Sequence, residues 1–531
     1  MERKTLVAIA VSLAVVLLWD VWYYHRYKDT LASNRLKAAQ KLKEAPAAAK
    51  QAAPGGQPPP AQEAAASKPS EPAPAPQEKI SRNITINTGD ATVTVSTAGG
   101  VITSYRLLKY KDAEGKPTEL AASKAGAPPL ALEFATPEVS QKINGSVFNS
   151  TAPDNMELSE QNPTASVPLT LTLENGVTIT KTLDFQRGSY LVGLRASVSG
   201  PGVAGSTFGI SWNGLGGEEG KSQSYVGPVV LVDDKRLADA PKEKGFQAYE
   251  GNISWGGLTN KYYCAAFILP GGKARLTAAR TNGEFATTLQ LPAGSENRLA
   301  VYAGPKDHEE LKKVGHGFIR MINYGWFDVL ANPLFSLLIF FNSVIGNFGI
   351  SIILLTVGVK LLFWPLSQSS FRSVEKMKRV QPEMKMLQER YKNDRMKQNE
   401  ELIALYKKHG INPMAGCLPI FLQIPVFVAL YKVLLESIDL KGAPFLFWIH
   451  DLSTKDPYYV TPVLMGVSMF AQQRMSPSSA DPLQRKLMMA MPVVFTAMFL
   501  KFPSGLVIYW LVNNLLSIFQ QYLLIRQNKE A

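Results

Sequence analysis

Residues 351–367 read SIILLTVGVKLLFWPLS, an apolar run that one charged residue, Lys360, interrupts. At about 1.5 Å per residue, a helix over 346–366 matches a bilayer core of about 30 Å. An ammonium inside a bilayer costs on the order of 2.5–3.5 kcal/mol on insertion scales. Two interpretations stay open. The flexible stem of Lys360 lifts its charge to the lipid phosphates, or the charge faces a water-filled cavity, with Thr356 one helical turn earlier on the same face.

Other polar side chains accumulate in the later apolar segments, and one such residue usually serves as glue between helices. Several of them spread over three segments favour a shared polar interior instead. These residues are Gln423, Gln472, Gln473, Asn513, Asn514, Gln520 and Gln521.

The N-terminal region, 1–26, contains the apolar run 5–24, preceded by Arg3 and Lys4 and ending in tryptophan and tyrosine. Aromatic residues typical of a membrane interface end the run, where a cleavage site would need small residues. We therefore expect an uncleaved signal anchor with its N-terminus in the cytoplasm. The alternative is a cleaved signal peptide. Residues 27–79 are predicted to be an Ala/Pro-rich linker, because nine prolines fall within 45–76 and the stretch has nothing to bury.

The region 80–307 predicts a large all-β sandwich domain. The stretches 91–97, 169–185 and 190–200 alternate apolar and polar residues, and ENG at 174–176 is typical of a hairpin turn. Following an anchor with a cytoplasmic N-terminus, this domain is expected in the periplasm. Its one cysteine, Cys264, has no partner in the domain and is expected to be a buried thiol.

Together with the anchor, the remainder predicts a polytopic α-helical membrane protein with six transmembrane helices, both termini cytoplasmic. The segment 366–416 has eleven Lys or Arg against six Asp or Glu, which places it in the cytoplasm. The expected order is an amphipathic interfacial helix at 308–345, spans at 346–366, 415–436, 458–475, 487–502 and 503–525, a cytoplasmic helical hairpin at 367–414, a periplasmic loop at 437–457, a cytoplasmic loop at 476–486 and a cytoplasmic tail at 526–531.

Enzyme chemistry is not expected in this chain, nor is any cofactor or metal ion. Two cysteines and five histidines leave little for a metal centre, and 80–305 has no histidine. The run GEEGKS at 217–222 is similar to a phosphate-binding loop, but Leu215 stands where the motif needs glycine. The net charge of +13 is explained in part by topology, so it is poor evidence for nucleic-acid recognition.

The predicted hairpin carries a thin apolar stripe on two charged helices that meet near 393–394. The stripe includes Met377, Met384 and Met386. Either the hairpin is a solvated connector, or its methionines recruit varied apolar client segments.

Three long motifs resemble the YidC family of membrane protein insertases of Gram-negative bacteria: NPMAGCLPIFLQIPVFVALY (412–431), FWIHDLSTKDPYYVTPVLMGVSMF (447–470) and FPSGLVIYWLVNN (502–514). The order of anchor, linker, periplasmic domain, interfacial helix, hairpin and five-span core is also similar.

The resemblance implies a non-enzymatic insertase and chaperone of the bacterial inner membrane, acting alone or with the secretion translocon on nascent membrane proteins. Ribosome or signal-recognition-particle contacts are further implied partners, though the short tail here puts a ribosome contact in doubt. By position, the implied client groove contains Lys360, Thr356, Gln423, Gln473, Trp510 and Asn513. Many relatives carry arginine where this chain has Lys360. The periplasmic domain is expected to resemble a galactose mutarotase sandwich without that activity.

Two other functions fit some of these features. A charged residue and polar spans also suit a secondary transporter or channel, but no interrupted helices repeat between two halves. A membrane-anchored periplasmic carbohydrate-binding protein needs only one anchor, which leaves five spans unexplained.

Overall fold

The computed structural model describes residues 80–112, 114–122, 126–216, 224–411, 418–475 and 482–530. The predicted anchor, the linker through residue 79 and the GEEGKS segment lie outside these residues. Within them, residues 78–362 and 419–531 belong to one compact unit, and 363–418 belong to another.

The first unit begins with a β-domain of two sheets. Its strands are β1 Asn83–Asn87, β2 Ala91–Ser96, β3 Val101–Lys111, β4 Pro117–Glu119, β5 Ala131–Glu133, β6 Asn155–Glu157, β7 Thr164–Thr172, β8 Thr178–Gln186, β9 Leu191–Ser199, β10 Thr207–Asn213, β11 Gly227–Val232, β12 Lys235–Leu237, β13 Phe246–Thr259, β14 Tyr263–Ile268, β15 Lys273–Thr281, β16 Glu284–Pro292 and β17 Asn297–Pro305. The smaller sheet has the strand order β4-β3-β2-β1-β6. The larger sheet has the order β5-β10-β16-β15-β13-β14-β17-β9-β8-β7, with β11 paired to β12 and β13.

The predicted β-sandwich is confirmed, and the alternation of apolar and polar residues along its strands explains how its core forms. In β8 and β9 every second residue is buried, and these residues join one core with apolar residues of the smaller sheet. Gly176, at φ 77°, makes the predicted turn between β7 and β8. Cys264 is a free, fully buried thiol, and burial raises its pKa to about 12.

One buried position of β8 holds a lysine. Lys181 pairs across the sheet with Leu169 and Ala196 and is 1% exposed. Its Nζ donates to the carbonyl oxygens of Gly99 at 3.1 Å and Leu130 at 3.0 Å. Burial lowers the pKa of Lys181 to about 7. The side chain thus ties the larger sheet to the segments that lead into β3 and β5.

Ten helices are described, eight of them in the first unit. Those eight are α1 Pro137–Gly145, α2 His308–Val314, α3 Asp328–Ile345, α4 Phe348–Leu362, α7 Leu418–Glu436, α8 Val460–Met475, α9 Pro482–Phe499 and α10 Ser504–Glu530. The second unit holds the other two, α5 Trp364–Arg390 and α6 Arg395–Lys408.

The helices of the first unit share a second hydrophobic core. It joins Leu338 of α3, Leu355 of α4, Val433 of α7, Met465 of α8 and Val507 of α10. The α7–α8 connection, 437–457, is fixed at its end by Asp456, whose carboxylate accepts bonds from Thr461, Tyr458 and Trp448. Burial would raise the pKa of Asp456, but these bonds outweigh it and hold the pKa below its usual value.

Helix lengths differ from the predicted spans. Among the described residues, one helix is long and apolar enough by itself to cross a bilayer: Gly325–Ile345, in the segment predicted to be interfacial. The helices Phe348–Leu362 and Trp364–Arg390 would count as a second such helix if they formed one span. The predicted 308–345 element is also not one helix, since α2 and two short 3-10 turns precede α3. The six-span count and the interfacial placement stay predictions.

Helix α4 ends earlier than the sequence suggests. The apolar run predicts a helix to 366, but α4 stops at Leu362 and a new helix starts at Trp364. Pro365 explains the break, because proline has no N–H to donate and its ring collides with the carbonyl of residue 361. Lys360 therefore lies in the last turn of α4.

The second unit is a helical hairpin with its own small core. Val380 and Met384 of α5 pack with Leu405 of α6 and with Ile411. Asp394 caps α6 by accepting the N–H of Lys397 at 3.0 Å.

The substitution Lys181→Met should lower the free energy of unfolding of the β-domain. It leaves two buried carbonyl oxygens without a donor, which costs about 1–3 kcal/mol for each. The folded state holds Lys181 at a pKa of about 7, below the value of an exposed lysine. The unfolded chain then binds more protons, so wild-type stability should rise with pH above about 7, by up to about 1.4 kcal/mol per pH unit.

Hydrogen exchange of 178–186 in the full-length chain, measured at pH 7 and 9, checks both effects. The variant should lose the pH-dependent part of its protection there. Lys116→Met, at an exposed position, is the matched control and should change neither quantity. Equal protection in wild type and Lys181→Met would contradict the assignment.

Candidate functional site

Lys360 reaches from α4 to one face of α10. Its Nζ donates to Ser517 Oγ at 2.6 Å, and Asn513 Oδ1 lies 3.5 Å away. The side chain is half-buried, and it has no ion pair with any residue that the structure describes. Ser517 in turn donates to the carbonyl oxygen of Asn513 at 2.8 Å. Two neutral oxygens therefore hold the cation in place without neutralising it.

Thr356, predicted to line the same cavity, is closed off. Its side chain is 1% exposed, and its hydroxyl donates to the carbonyl of Ile352 at 2.6 Å. Threonine makes this bond readily in helices when no better acceptor is near. Thr356 thus lies one turn from Lys360 but has its hydroxyl satisfied by its own helix.

Helix α10 carries a polar stripe that the sequence interpretation found only in part. Tyr509, Asn513, Ser517 and Gln521 recur every fourth residue, so they lie along one side of the helix. Asn513 was predicted to belong to the site, whereas Tyr509 and Ser517 were missed. The four-residue spacing counted outward from Asn513 is the signal that would have found them.

Gln423 and Trp510 meet α10 in a neighbouring aromatic region. Gln423 of α7 donates its Nε2 to the Tyr509 hydroxyl. Trp510 packs edge-on against Phe427 of α7 at 4.7 Å between ring centroids and stacks on Phe495 of α9 at 6.0 Å. Its indole nitrogen is buried with no hydrogen-bond acceptor within the described parts of the chain. A buried donor of this kind is available to a carbonyl group that enters the site.

Helix α8 contributes the other polar contacts. Asn514 of α10 donates to Ser468 Oγ at 3.1 Å, and Gln521 Nε2 donates to the carbonyl of Met475 at 3.1 Å. Gln473, a predicted groove residue, is half-buried, and its Oε1 has no donor in the described ranges. The structure thus joins Lys360 with Asn513, and Gln423 with Trp510 through α10, but it does not bring Gln473 to either pair.

The three predicted hairpin methionines separate into two groups. Met384 is 7% exposed and Met377 packs against the same small core, whereas Met386 is 63% exposed. The two helices of the hairpin must bury some apolar surface on each other, and these two methionines supply it. Only Met386 of the three is open to solvent, and Met396 of α6, at 86% exposed, was not predicted.

The arrangement suits the binding of a polar segment. Within the described residues, no group of three or more His, Cys, Asp or Glu side chains could hold a metal ion. The site offers one cation, a few uncharged hydrogen-bonding groups and an aromatic wall. Such a set can attract and solvate an extended polar segment inside a helical protein.

Two family models together match nearly all of the described chain. The model described as 60Kd inner membrane protein matches residues 340–531, and the model described as YidC periplasmic domain matches residues 83–337. Their junction, between 337 and 340, falls within α3.

Curated relatives match over the whole length. "Membrane protein insertase YidC" of Geobacter metallireducens is 37% identical over 98% of this chain and 98% of its own, and that of Geotalea daltonii is 39% identical over the same shares. A solved structure described as an active YidC insertase with its first transmembrane domain resolved covers 83% of this chain and 92% of its own, at 17% identity and a TM-score of 0.38.

The Gln423–Tyr509 bond should contribute measurably to the stability of the helical core. Bonds between membrane helices average about 0.6 kcal/mol and reach about 1.7 kcal/mol in double-mutant cycles. Thermal unfolding of Tyr509→Phe, Gln423→Leu and the double variant in detergent should give a coupling energy in that range. Tyr522→Phe, on an exposed position of α10, should have no effect. Additive single effects would show that the two side chains do not interact.

Proposed function

The chain belongs to the YidC family of membrane protein insertases, and from that premise we propose that it inserts nascent proteins into the bacterial inner membrane by binding their polar flanks around Lys360. Lys360 is the observation that carries the proposal, because it is a cation among apolar helices whose partners are Ser517 and Asn513 rather than a carboxylate. An acidic flank of a client supplies the missing counter-charge.

The polar residues of α10 lower the cost of bringing a client's polar flank into the bilayer. An unpaired peptide group in an apolar medium costs roughly 2–7 kcal/mol, so each bond that the site offers reduces the barrier appreciably. Gln423, Gln473, Trp510 and Asn513 are the uncharged groups that fill this role. With Lys360 and Thr356 they form the proposed groove, in which Thr356 contributes to packing because its hydroxyl is already bonded.

Apolar transfer supplies the driving force. Exposed side chains on α7 and α9, including Ile424 at 49% and Val493 at 71%, offer an apolar surface along which the client's span enters lipid. Burial of apolar surface releases about 25 cal/mol per Å², so a span of ~20 residues gains tens of kcal/mol before polar costs. Nucleotide hydrolysis is unnecessary on these magnitudes.

The remaining parts have supporting roles in this proposal. The β-domain faces the periplasm, the hairpin faces the cytoplasm with both termini, and exposed Met386 meets incoming clients. Cooperation with the secretion translocon, a chaperone role during folding and contacts with the ribosome or the signal recognition particle belong to the same proposal.

Charge at position 360 should govern insertion. The Lys360→Arg variant should insert clients at close to the wild-type level. The Lys360→Ala variant should insert clients with acidic translocated flanks at least tenfold less efficiently, if one charge pair at the protein–lipid boundary contributes about 1.4 kcal/mol or more. The measurement is protease protection of a single-span client added to liposomes that contain the purified chain, without nucleotide.

A client series that differs only in flank charge provides the control. Insertion by the wild type should rise with the negative charge of the flank, and the slope should vanish in Lys360→Ala. If Lys360 only reaches the lipid phosphates, Lys360→Leu should insert every client as well as the wild type does. Flux of small solutes through the same liposomes without client protection would favour a transporter or channel.

Exposure predicts which hairpin methionine meets clients. A photo-crosslinking amino acid at position 386 should capture an apolar client segment, because that side chain is exposed and adaptable methionines suit varied apolar ligands. The same substitution at 384, which is buried, is the matched control and should capture little. Equal capture at both positions would argue for an inert connector.

A further inference from the structure

A cleft of 1360 Å³ opens between the β-domain and the helical core, on the side of the 437–457 connection. The β-domain contributes the end of β3 and the turn between β13 and β14, and the core contributes the ends of α7 and α9. Six lysines line it: Lys109, Lys111, Lys261, Lys441, Lys455 and Lys501. Four carboxylates also line it, Asp112, Glu119, Glu284 and Asp451, so the cations are in excess.

Two of the carboxylates are already used within the protein. Glu119 accepts the N–H groups of Tyr105 at 2.6 Å and Ala121 at 3.0 Å, and Asp451 accepts both the N–H and the hydroxyl of Ser453. Lys111 and Lys501, in contrast, are exposed and make no ion pair or side-chain hydrogen bond with any part of the chain that the structure describes. Lys109 pairs with Asp90 at 2.7 Å and Glu119 with Arg106 at 3.4 Å, and both partners lie outside the lining of the cleft. The other charged lining residues are five lysines and three carboxylates, so the cleft carries a net positive charge.

Lys441 is held rigidly at the same place. Its Nζ donates to the Tyr263 hydroxyl at 2.9 Å and lies 5.4 Å from the centroid of the Tyr262 ring. Because the bond and the ring contact fix the long side chain, little rotamer entropy remains to be lost when an anion binds.

Part of the lining on the core side is an apolar wall at the ends of helices. Leu435 lies near the end of α7, Met498 near the end of α9, and Phe502 just beyond it. Met498 is 44% exposed. An acidic peptide would use the lysines but would gain little from an apolar wall that extends along membrane helices.

We propose that this cleft binds an anionic phospholipid, with its phosphate among the lysines and its acyl chains against the apolar wall. The ligand follows from the two chemistries that the cleft presents together, lysines contributed by both the β-domain and the core and an apolar wall at the ends of α7 and α9. A lipid bound there joins the β-domain to the helical core. This inference does not depend on the proposed insertase activity.

Photo-labelling of the full-length chain in nanodiscs tests the proposal. The probe is phosphatidylglycerol with a photoreactive group in its headgroup, present as a minor lipid in phosphatidylcholine, and a phosphatidylcholine with the same group is the comparison. Peptide mass spectrometry should locate phosphatidylglycerol adducts in 109–112, 441–455 and 497–503. The phosphatidylcholine probe should label these segments much less.

Lys111→Gln combined with Lys501→Gln should lower the cleft adducts roughly tenfold or more, since each lysine near a membrane surface strengthens anionic-lipid binding severalfold. The double variant Lys142→Gln with Lys235→Gln, at exposed positions of the β-domain outside the cleft, is the matched control and should label like the wild type. Hydrogen exchange of the β-domain verifies that both variants fold.

Several results would overturn the proposal: equal labelling by the two probes, adducts confined to the membrane helices, or labelling that the cleft variant does not change. Suppression of the labelling by millimolar inorganic phosphate would assign the cleft to free phosphate. Suppression by a poly-glutamate peptide alone would assign it to an acidic polypeptide.

Discussion

Polar side chains in apolar helices must find partners within the protein, because the bilayer supplies no water to replace them. Helix α10 satisfies this constraint for three other helices of the core. It bonds to α4 through Lys360 with Asn513 and Ser517, to α7 through Tyr509, and to α8 through Asn514 and Gln521. The hydrogen bonds of the proposed client groove are therefore also bonds that position these helices.

The connection 437–457 has a comparable role on the side of the β-domain. Asp456 is 1% exposed and collects donors from both sides of the connection, which fixes the start of α8. Lys441, earlier in the same connection, bonds to Tyr263 of β14, whose hydroxyl lies 3.4 Å from that of Thr118. The family motif around FWIHDLSTKDPYY thus has a structural explanation, since its buried acid organises the loop that contacts the β-domain.

Much of the fold could be predicted from the sequence because periodicity reports burial directly, as in β8 and β9. The end of α4 was missed because hydropathy alone carries the run past Pro365. Met377, Met384 and Met386 were placed together on one apolar stripe, because spacing does not show which methionines supply the contacts between the two hairpin helices. Ser517 lies four residues from Asn513, but spacing alone does not show that α4 packs there and brings Lys360 to it. Long-range pairings of this kind depend on tertiary packing, which local pattern does not encode.

In the proposed function, the neutral partners of Lys360 keep its charge available to a client. A carboxylate beside it would form a stronger bond, but the pair would be neutralised and an incoming acidic segment would gain nothing by displacing it. With no partner at all, the ammonium would bear the full desolvation cost. Serine and asparagine oxygens lie between these extremes, because they solvate the charge and leave it uncancelled. A compact ammonium suits this pair of acceptors, whereas the planar guanidinium of arginine presents its donors in a fixed fork. The lysine in this chain is therefore consistent with its partners on α10, and position 360 is best understood together with 513 and 517 as one unit.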